Sequence, residues 1–263
     1  TLQANASLAY QIYMNEKIPF KEPLSSPETK KELTPGELRE KLKDPSFLPT
    51  REDIFRVFGM GFEEEGWFEF CFDKKNPVFE FLNEEFIESF SDYLSKRAES
   101  LEATKDHPIT ILEVGAGNGR LSYFLQQKLE SKNPGKVKVI ATDSGEWDIK
   151  TSFPVEKIDH KEALEKHQPQ IVIFSWMPNG KDFTDAFRAT KSVEEYILIG
   201  ETAGGCCGSD WDTWGYSGGN KEAGEVNIAP YATDGFELEE ITDISKKQIC
   251  RTDFEKYLHS HTM

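Results

Sequence analysis

Four short apolar runs constrain this chain more than any other feature. ITILEV (109–114), VKVIAT (137–142), IVIF (171–174) and YILIG (196–200) show hardly any polar alternation. A strand with one wet face alternates polar and apolar residues, so such runs read as strands covered on both faces, as in a parallel sheet. Helical patterns lie between several of them: Leu121, Phe124, Leu125 and Leu129 after the first, DHKEALEKH before the third, and DFTDAFRATKS before the fourth. That order predicts an α/β fold built on a doubly wound, mostly parallel sheet. Near the C-terminus, FELEEIT and KKQICRT are only a few residues apart and read as an antiparallel hairpin at the sheet edge. Residues 105–263 are therefore expected to form the sheet domain, and 1–104 a mainly helical N-terminal cap or lid.

Within that first region, LTPGELREKLKDP offers Thr34 as N-cap, Pro35 in the first turn and Glu37 three positions after the cap. Thr50 and Asp53 repeat the device. A longer helix begins near Asn83 and places Phe86, Phe90, Tyr93, Leu94 and Leu101 on one face. The aromatic stretch GWFEFCFDKKNPVFEFL fits either a strand pair or a packed loop. Between VIAT and EKID, the connection DSGEWDIKTSFPV is too short and broken for a full crossover helix, so a single turn or an irregular link is expected there.

Composition narrows the function. Among 263 residues, 47 acidic against 31 basic side chains give a formal net charge of −16. Such a field repels nucleic-acid phosphates and anionic lipid headgroups, so neither nucleic acid nor a membrane is expected as partner. No apolar stretch has the length of a membrane span. Cysteines 71, 206, 207 and 250 show neither CxxC nor metal-ligand spacing. Reduced thiols in a cytoplasmic protein, with no metal site, are the expectation. Asn5-Ala6-Ser7 matches a glycosylation sequon with no signal peptide beside it, and reads as a chance match.

The first strand runs into GAGNGR and then directly into an amphipathic helix. Gly115, Gly117 and Gly119 let the backbone turn tightly and meet a ligand closely, at the strand end where doubly wound sheets bind ligands. A dinucleotide fingerprint, G-x-G-x-x-G, would need glycine at position 120, which is Arg120. The pattern is G-x-G-x-G, with Glu113 two residues ahead. With EVGAGNG, the chain resembles the class I S-adenosylmethionine-dependent methyltransferases. The resemblance covers roughly residues 105–252. It implies S-adenosyl-L-methionine as cofactor, held by Glu113, Gly115, Ala116, Gly117, Asn118 and Gly119. It also implies that Asp143, with Ser144 beside it at the next strand end, binds the ribose hydroxyls; a carboxylate accepts two such donors at once. In KIDHKEAL, the resemblance implies Asp159 as acceptor for the adenine amine with His160 beside it, although Asp159 equally reads as a helix N-cap.

The same resemblance puts the end of the fourth strand against the methionine half of the cofactor and the reacting methyl. Ser175, Trp176 and Met177, followed by Pro178, then form the wall where cofactor meets acceptor, unless Met177 merely packs. SWMP is not the Asn/Asp-Pro-Pro-aromatic motif of nucleobase and glutamine amino-methyltransferases. The segment 171–188 lacks the glutamates of arginine methyltransferases, no cysteine follows a proline as in cytosine-C5 enzymes, and Ser175 stands where the magnesium-dependent catechol type has aspartate. Elimination leaves methyl transfer to N, O or S of a small-molecule acceptor. A protein methyltransferase and a non-catalytic cofactor-binding subunit or sensor are the alternatives. The long segment after the fifth strand suggests Trp211, Trp214 and Tyr216 as acceptor-pocket residues, with Glu201, Asp210 or Asp212 orienting the acceptor; the tryptophans otherwise fill space left by a missing helix. Glu201 is the candidate base. Tyr10 and Tyr13 are candidates to close over the sulfonium or to pack a helix. Oligomeric state is not legible.

Overall fold

The computed structural model describes residues 33–59, 66–74, 76–217, 228–253 and 259–263. Tyr10 and Tyr13 lie outside the described residues. Pro35–Met263 form one compact unit, so the described helices ahead of residue 105 belong to the same body as the sheet.

The elements of that unit follow the apolar pattern. Three helices come first: α1 (Pro35–Lys41), α2 (Arg51–Phe58) and α3 (Trp67–Cys71), followed by α4 (Glu84–Ser100). The alternating part consists of β1 (Ile109–Val114), α5 (Arg120–Lys132), β2 (Val137–Asp143), β3 (Glu156–Lys157), α6 (His160–His167), β4 (Ile171–Ser175), α7 (Thr184–Ala189) and β5 (Glu195–Glu201). Two short helices, α8 (Pro230–Thr233) and α9 (Thr242–Ser245), precede the last strand, β6 (Ser260–Thr262). The sheet order is β3-β2-β1-β4-β5-β6. All pairs are parallel except β5 with β6, which is antiparallel. A doubly wound, mostly parallel sheet with an antiparallel edge is thus what the sequence folds into.

Successive side chains on a strand point to opposite faces, and here both faces are apolar. Ile109, Ile111, Ile171, Ile173, Ile197 and Ile199 join one core with Phe86, Phe90 and Leu94 of α4 and Leu121, Leu125 and Leu129 of α5. The intervening residues Leu112, Val114, Val172, Phe174 and Leu198 join a second core with Leu164 and Phe187. Two buried faces explain why the runs do not alternate in sequence. A third core, around Ile54, Phe58, Trp67 and Phe81, holds the aromatic stretch. That stretch is neither a strand pair nor wholly a loop: it contains α3, and Glu80 makes one isolated antiparallel bridge to Cys250.

The hairpin expected from FELEEIT and KKQICRT is not formed. Residues 236–241 carry no regular structure and lead into α9, and the antiparallel edge strand is β6 instead. The apolar residues that suggested strands serve other purposes. Ile241 packs against the first core, Leu238 against the second, and Ile249 is buried in the third; between the two segments, Ser245 Oγ accepts the backbone N–H of Thr262 at 3.0 Å. Among the described residues, no helix is long and apolar enough to cross a membrane.

Two of the helix starts carry the caps expected of them. Thr50 and Asp53 form a complete capping box on α2, with Asp53 N donating to Thr50 Oγ1 at 3.1 Å and Thr50 N to Asp53 Oδ2 at 3.0 Å. Asn83 caps α4 by accepting from Phe86 N at 2.8 Å, while its amide donates to Lys247 O at 2.9 Å and Phe81 O at 3.2 Å. It is fully buried, so it fastens the C-terminal segment to α4. Asn83→Ala is expected to remove a cap worth about 1 kcal/mol and strand two carbonyls for about 1–3 kcal/mol more. Urea denaturation should show a total loss of roughly 2–4 kcal/mol.

Candidate functional site

The glycine turn leaves β1 at its carboxyl end. Gly115, Gly117 and Gly119 all have φ between 53° and 76°, the left-handed region that side chains with a Cβ rarely adopt. At two of them space is also refused: a Cβ on Gly115 would lie 2.8 Å from the Phe174 ring, and one on Gly119 would lie 2.6 Å from Val155. The connection after β2 closes over the turn. Asn118 O accepts from Ser152 N at 3.1 Å and Phe153 N at 3.2 Å, and Phe153 stacks on Tyr123 with ring centres 3.9 Å apart. This explains why the link contains no crossover helix: its backbone is bonded to the turn instead.

Parallel pairing sets Val114 opposite Thr142, so the turn and Asp143 emerge side by side. Asp143 Oδ2 accepts from Gly117 N at 2.9 Å and Oδ1 from Gly145 N at 2.7 Å. Both strand ends open onto one cavity of about 230 Å³. It is lined by Glu113 and residues 115–118 of the turn, by Asp143, Ser144, Glu146, Trp147 and Lys150 after β2, by Phe174–Trp176 and Pro178 at the end of β4, and by the segment Asn76–Glu80.

Charge in this cavity is lopsided. Four acids, Glu80, Glu113, Asp143 and Glu146, line it against two cations, Arg120 and Lys150. Arg120 is already committed, donating to the carbonyls of Pro45 at 3.0 Å and Phe47; burial lowers its pKa to about 10. Glu113 is 2% exposed and accepts from Ser122 N at 3.1 Å and Ser122 Oγ at 2.5 Å. Burial pushes its pKa up to about 7; Ser122 opposes that shift and the charge of Asp143 adds to it. Glu80 is pushed up further, to about 8, by burial and then by Asp253, against hydrogen bonds from Trp176, Ser260 and Ile249. Carboxyls of this kind suit a ligand that brings hydroxyls and an ammonium, while Arg120, already bonded to two carbonyls, has little left to offer a pyrophosphate.

Trp176 carries the strain of the site. Its φ is 59°, a conformation costly for a bulky residue, on the order of 1–3 kcal/mol. Its backbone N–H donates to Ile199 O at 2.7 Å, and its indole N–H to Glu80 Oε2 at 3.1 Å. The bend turns the indole into the cavity, where it lies 5.7 Å from the Phe79 ring; Trp147 is 6.1 Å from Phe79 on the same wall.

The structure brings together Glu113, Gly115, Ala116, Gly117, Asn118, Asp143, Ser144, Ser175 and Trp176 around one cavity. Gly119 stands behind the turn against Val155. Met177 is buried and packs in the second core. Asp159 caps α6, accepting from Lys161 N at 2.9 Å, and His160 sits edge-on to Phe183, 4.7 Å between ring centres; neither lines the cavity. Glu201, Asp210, Trp211, Trp214 and Tyr216 do not line it either. Glu201 accepts from Cys206 N at 2.9 Å and from Thr252 Oγ1. Burial raises its pKa, but those bonds outweigh it and leave the carboxyl below its usual range, which makes it a weaker base. Asp210 caps the loop through Gly204 N at 2.9 Å. Trp214 is buried, donating to Cys207 O at 2.7 Å, and Tyr216 is exposed. Phe79, Glu80 and Trp147 escaped the sequence reading. The signal available was one acid inside the aromatic run VFEFL, and a tryptophan four residues after Asp143.

No protein-family profile and no curated protein sequence matches the chain. Among solved structures, the DszA carbon methyltransferase is similar at 17% identity and TM-score 0.31, over 44% of this chain and 36% of that one. The plantazolicin methyltransferase BpumL, in complex with SAH, is similar at 13% identity and TM-score 0.26, over 45% and 49%. The CurJ carbon methyltransferase is similar at 17% identity and TM-score 0.25, over 36% and 30%. The matched parts therefore span less than half of each of these proteins. The fold rests on the sheet order and strand directions above.

The two raised carboxyl groups make stability depend on pH in a defined direction. Between pH 4.5, the ordinary value, and about 7 for Glu113 or about 8 for Glu80, the folded protein holds protons that the unfolded chain has lost. Their contribution to stability therefore falls as pH rises through that window. Thermal unfolding from pH 5 to 8.5 is expected to show the Glu113→Gln, Glu80→Gln double variant losing less melting temperature than the parent protein. Parallel curves would refute the assignment.

Proposed function

We propose that this chain is an S-adenosyl-L-methionine-dependent methyltransferase acting on N, O or S of a small-molecule acceptor. The observation that carries this reading is the contact between the glycine turn and Asp143: Gly117 N meets the carboxylate at 2.9 Å, on the cavity that both line. Asp143 suits two ribose hydroxyls, since its two oxygens together have about four acceptor positions and each backbone donor takes one. Glu113 and the turn suit the amino-acid end, where an ammonium would offset the cost of burying the carboxylate. Ser144, Ala116, Asn118, Ser175 and Trp176 complete the cofactor wall in this reading. Asp159, His160 and Met177 are left with their capping and packing contacts.

The cofactor supplies an electrophilic methyl on a sulfonium. The protein's part is alignment, exclusion of water and, where the acceptor carries a proton, its removal. The aromatic wall of Phe79, Trp147 and Trp176 supports a small flat acceptor at the far end of the cavity.

Calorimetry with S-adenosylmethionine and S-adenosylhomocysteine tests the reading. Both should bind, and NADH should not. Asp143→Ala should weaken binding about 10–100-fold, as expected for losing one or two hydrogen bonds to a charged group. Binding of equal strength in the variant refutes it. Methyl label passing to protein instead of small acceptors would favour a protein substrate.

A further inference from the structure

Two acids in the cavity, Glu80 and Glu146, have no part in holding the cofactor as described, and of these Glu146 is exposed. Glu80 arrives on the segment before α4, far in sequence from the turn and from Asp143, and lines the same cavity. Its carboxyl is fixed by three donors from three parts of the chain: Trp176 Nε1 to Oε2 at 3.1 Å, and Ile249 N at 3.0 Å and Ser260 Oγ at 3.4 Å to Oε1. Oε2 thus has one protein donor and retains acceptor capacity. The donor it has is the side chain that follows β4, at the point where cofactor and acceptor would meet.

The neighbouring wall indicates what the acceptor is. Phe79 precedes Glu80, and its ring lies beside Trp176 and Trp147. Arg251, which does not line the cavity, sits over Phe79 at 4.1 Å and 5.6 Å from the Trp176 ring. With a guanidinium already against these rings, a cationic acceptor gains less from them than a neutral one.

We propose that Glu80 is the base of the methyl transfer, taking the proton from a neutral, flat acceptor that carries O–H or N–H and rests against Phe79, Trp147 and Trp176. This rests on the methyltransferase reading. In the step, a lone pair on the acceptor oxygen or nitrogen forms the bond to the methyl carbon. The carbon–sulfur bond breaks with its electron pair going to sulfur. The acceptor's proton passes to Glu80 Oε2, and later leaves to water. No other reactant is needed.

The environment suits a base working near neutrality, because burial and the repulsion of Asp253 set the carboxyl at about 8. The other titratable or charged groups in reach are Cys250 and Arg251 beside Asp253 on the C-terminal segment, and Glu113, Asp143, Glu146, Arg120 and Lys150 within the cavity. The thiol of Cys250 is raised by burial and stays protonated.

The test combines S-adenosylhomocysteine calorimetry, methyl-labelled S-adenosylmethionine with a panel of phenols and N–H heterocycles from pH 6 to 9.5, and carbon-13 NMR of labelled glutamate carboxyls. Wild type is expected to bind the homocysteine product, and its transfer rate to rise through about pH 8. Glu80→Gln should bind that product within twofold of wild type, lose transfer about 100-fold and lose the acid limb. It should also lack one carboxyl signal that titrates near pH 8. If Glu80→Gln does not fold, Trp176→Phe removes the indole donor along with part of the ring and should move the acid limb to higher pH; an unmoved limb overturns the proposal. Transfer by Glu80→Gln within threefold of wild type, on the same pH profile, overturns it too. Product binding with no transfer to any acceptor overturns the role of Glu80 and leaves the cofactor site standing. No product binding at all overturns the underlying reading.

Discussion

The carboxylate of Asp143 ties together the two strand ends on which the site depends. By accepting one backbone N–H from the glycine turn and another from the link after β2, it fixes where the first turn of α5 begins relative to the second strand. The register of β1 against β2 makes this possible, because Val114 and Thr142 are partners and Asp143 is the next residue. The turn then needs positive φ at three glycines to pass that carboxylate and reach the helix within five residues. The cavity is the space left where this bend and the end of β4 diverge.

Much of the fold was legible because one physical rule controlled it. Strands covered on both faces must be apolar where they are covered, and β1, β4 and the centre of β5 were readable for that reason; β2, with Lys138 exposed, was readable from its remaining apolar residues. Asn83 and Thr50 were readable as caps because their side chains satisfy local backbone donors, which is a matter of sequence neighbours. The edge was misplaced because apolar residues in FELEEIT and KKQICRT are equally what a loop needs to plug two cores. β6, only three residues long, offers no periodicity to detect.

The site divides in the same way. Glu113, the turn and Asp143 come from contiguous segments at predictable strand ends. Glu80 does not: it enters the cavity through tertiary packing of a segment whose aromatic neighbours serve another core. No local pattern announces that a glutamate between two phenylalanines will be buried against Trp176 and Ile249. The candidates drawn from the long loop after β5 share the opposite difficulty. Trp214 had the composition of a binding residue, but its indole N–H is satisfied by Cys207 O and its ring fills the second core.

The left-handed backbone of Trp176 also bears on how this chain can change. Glycine at that position would relax the bend, and a search for greater heat tolerance would find it attractive on backbone grounds alone. The same replacement would empty the aromatic wall and release the carboxyl of Glu80 from its indole partner. Robustness and the shape of the pocket therefore compete at a single codon, and improving one there erodes the other.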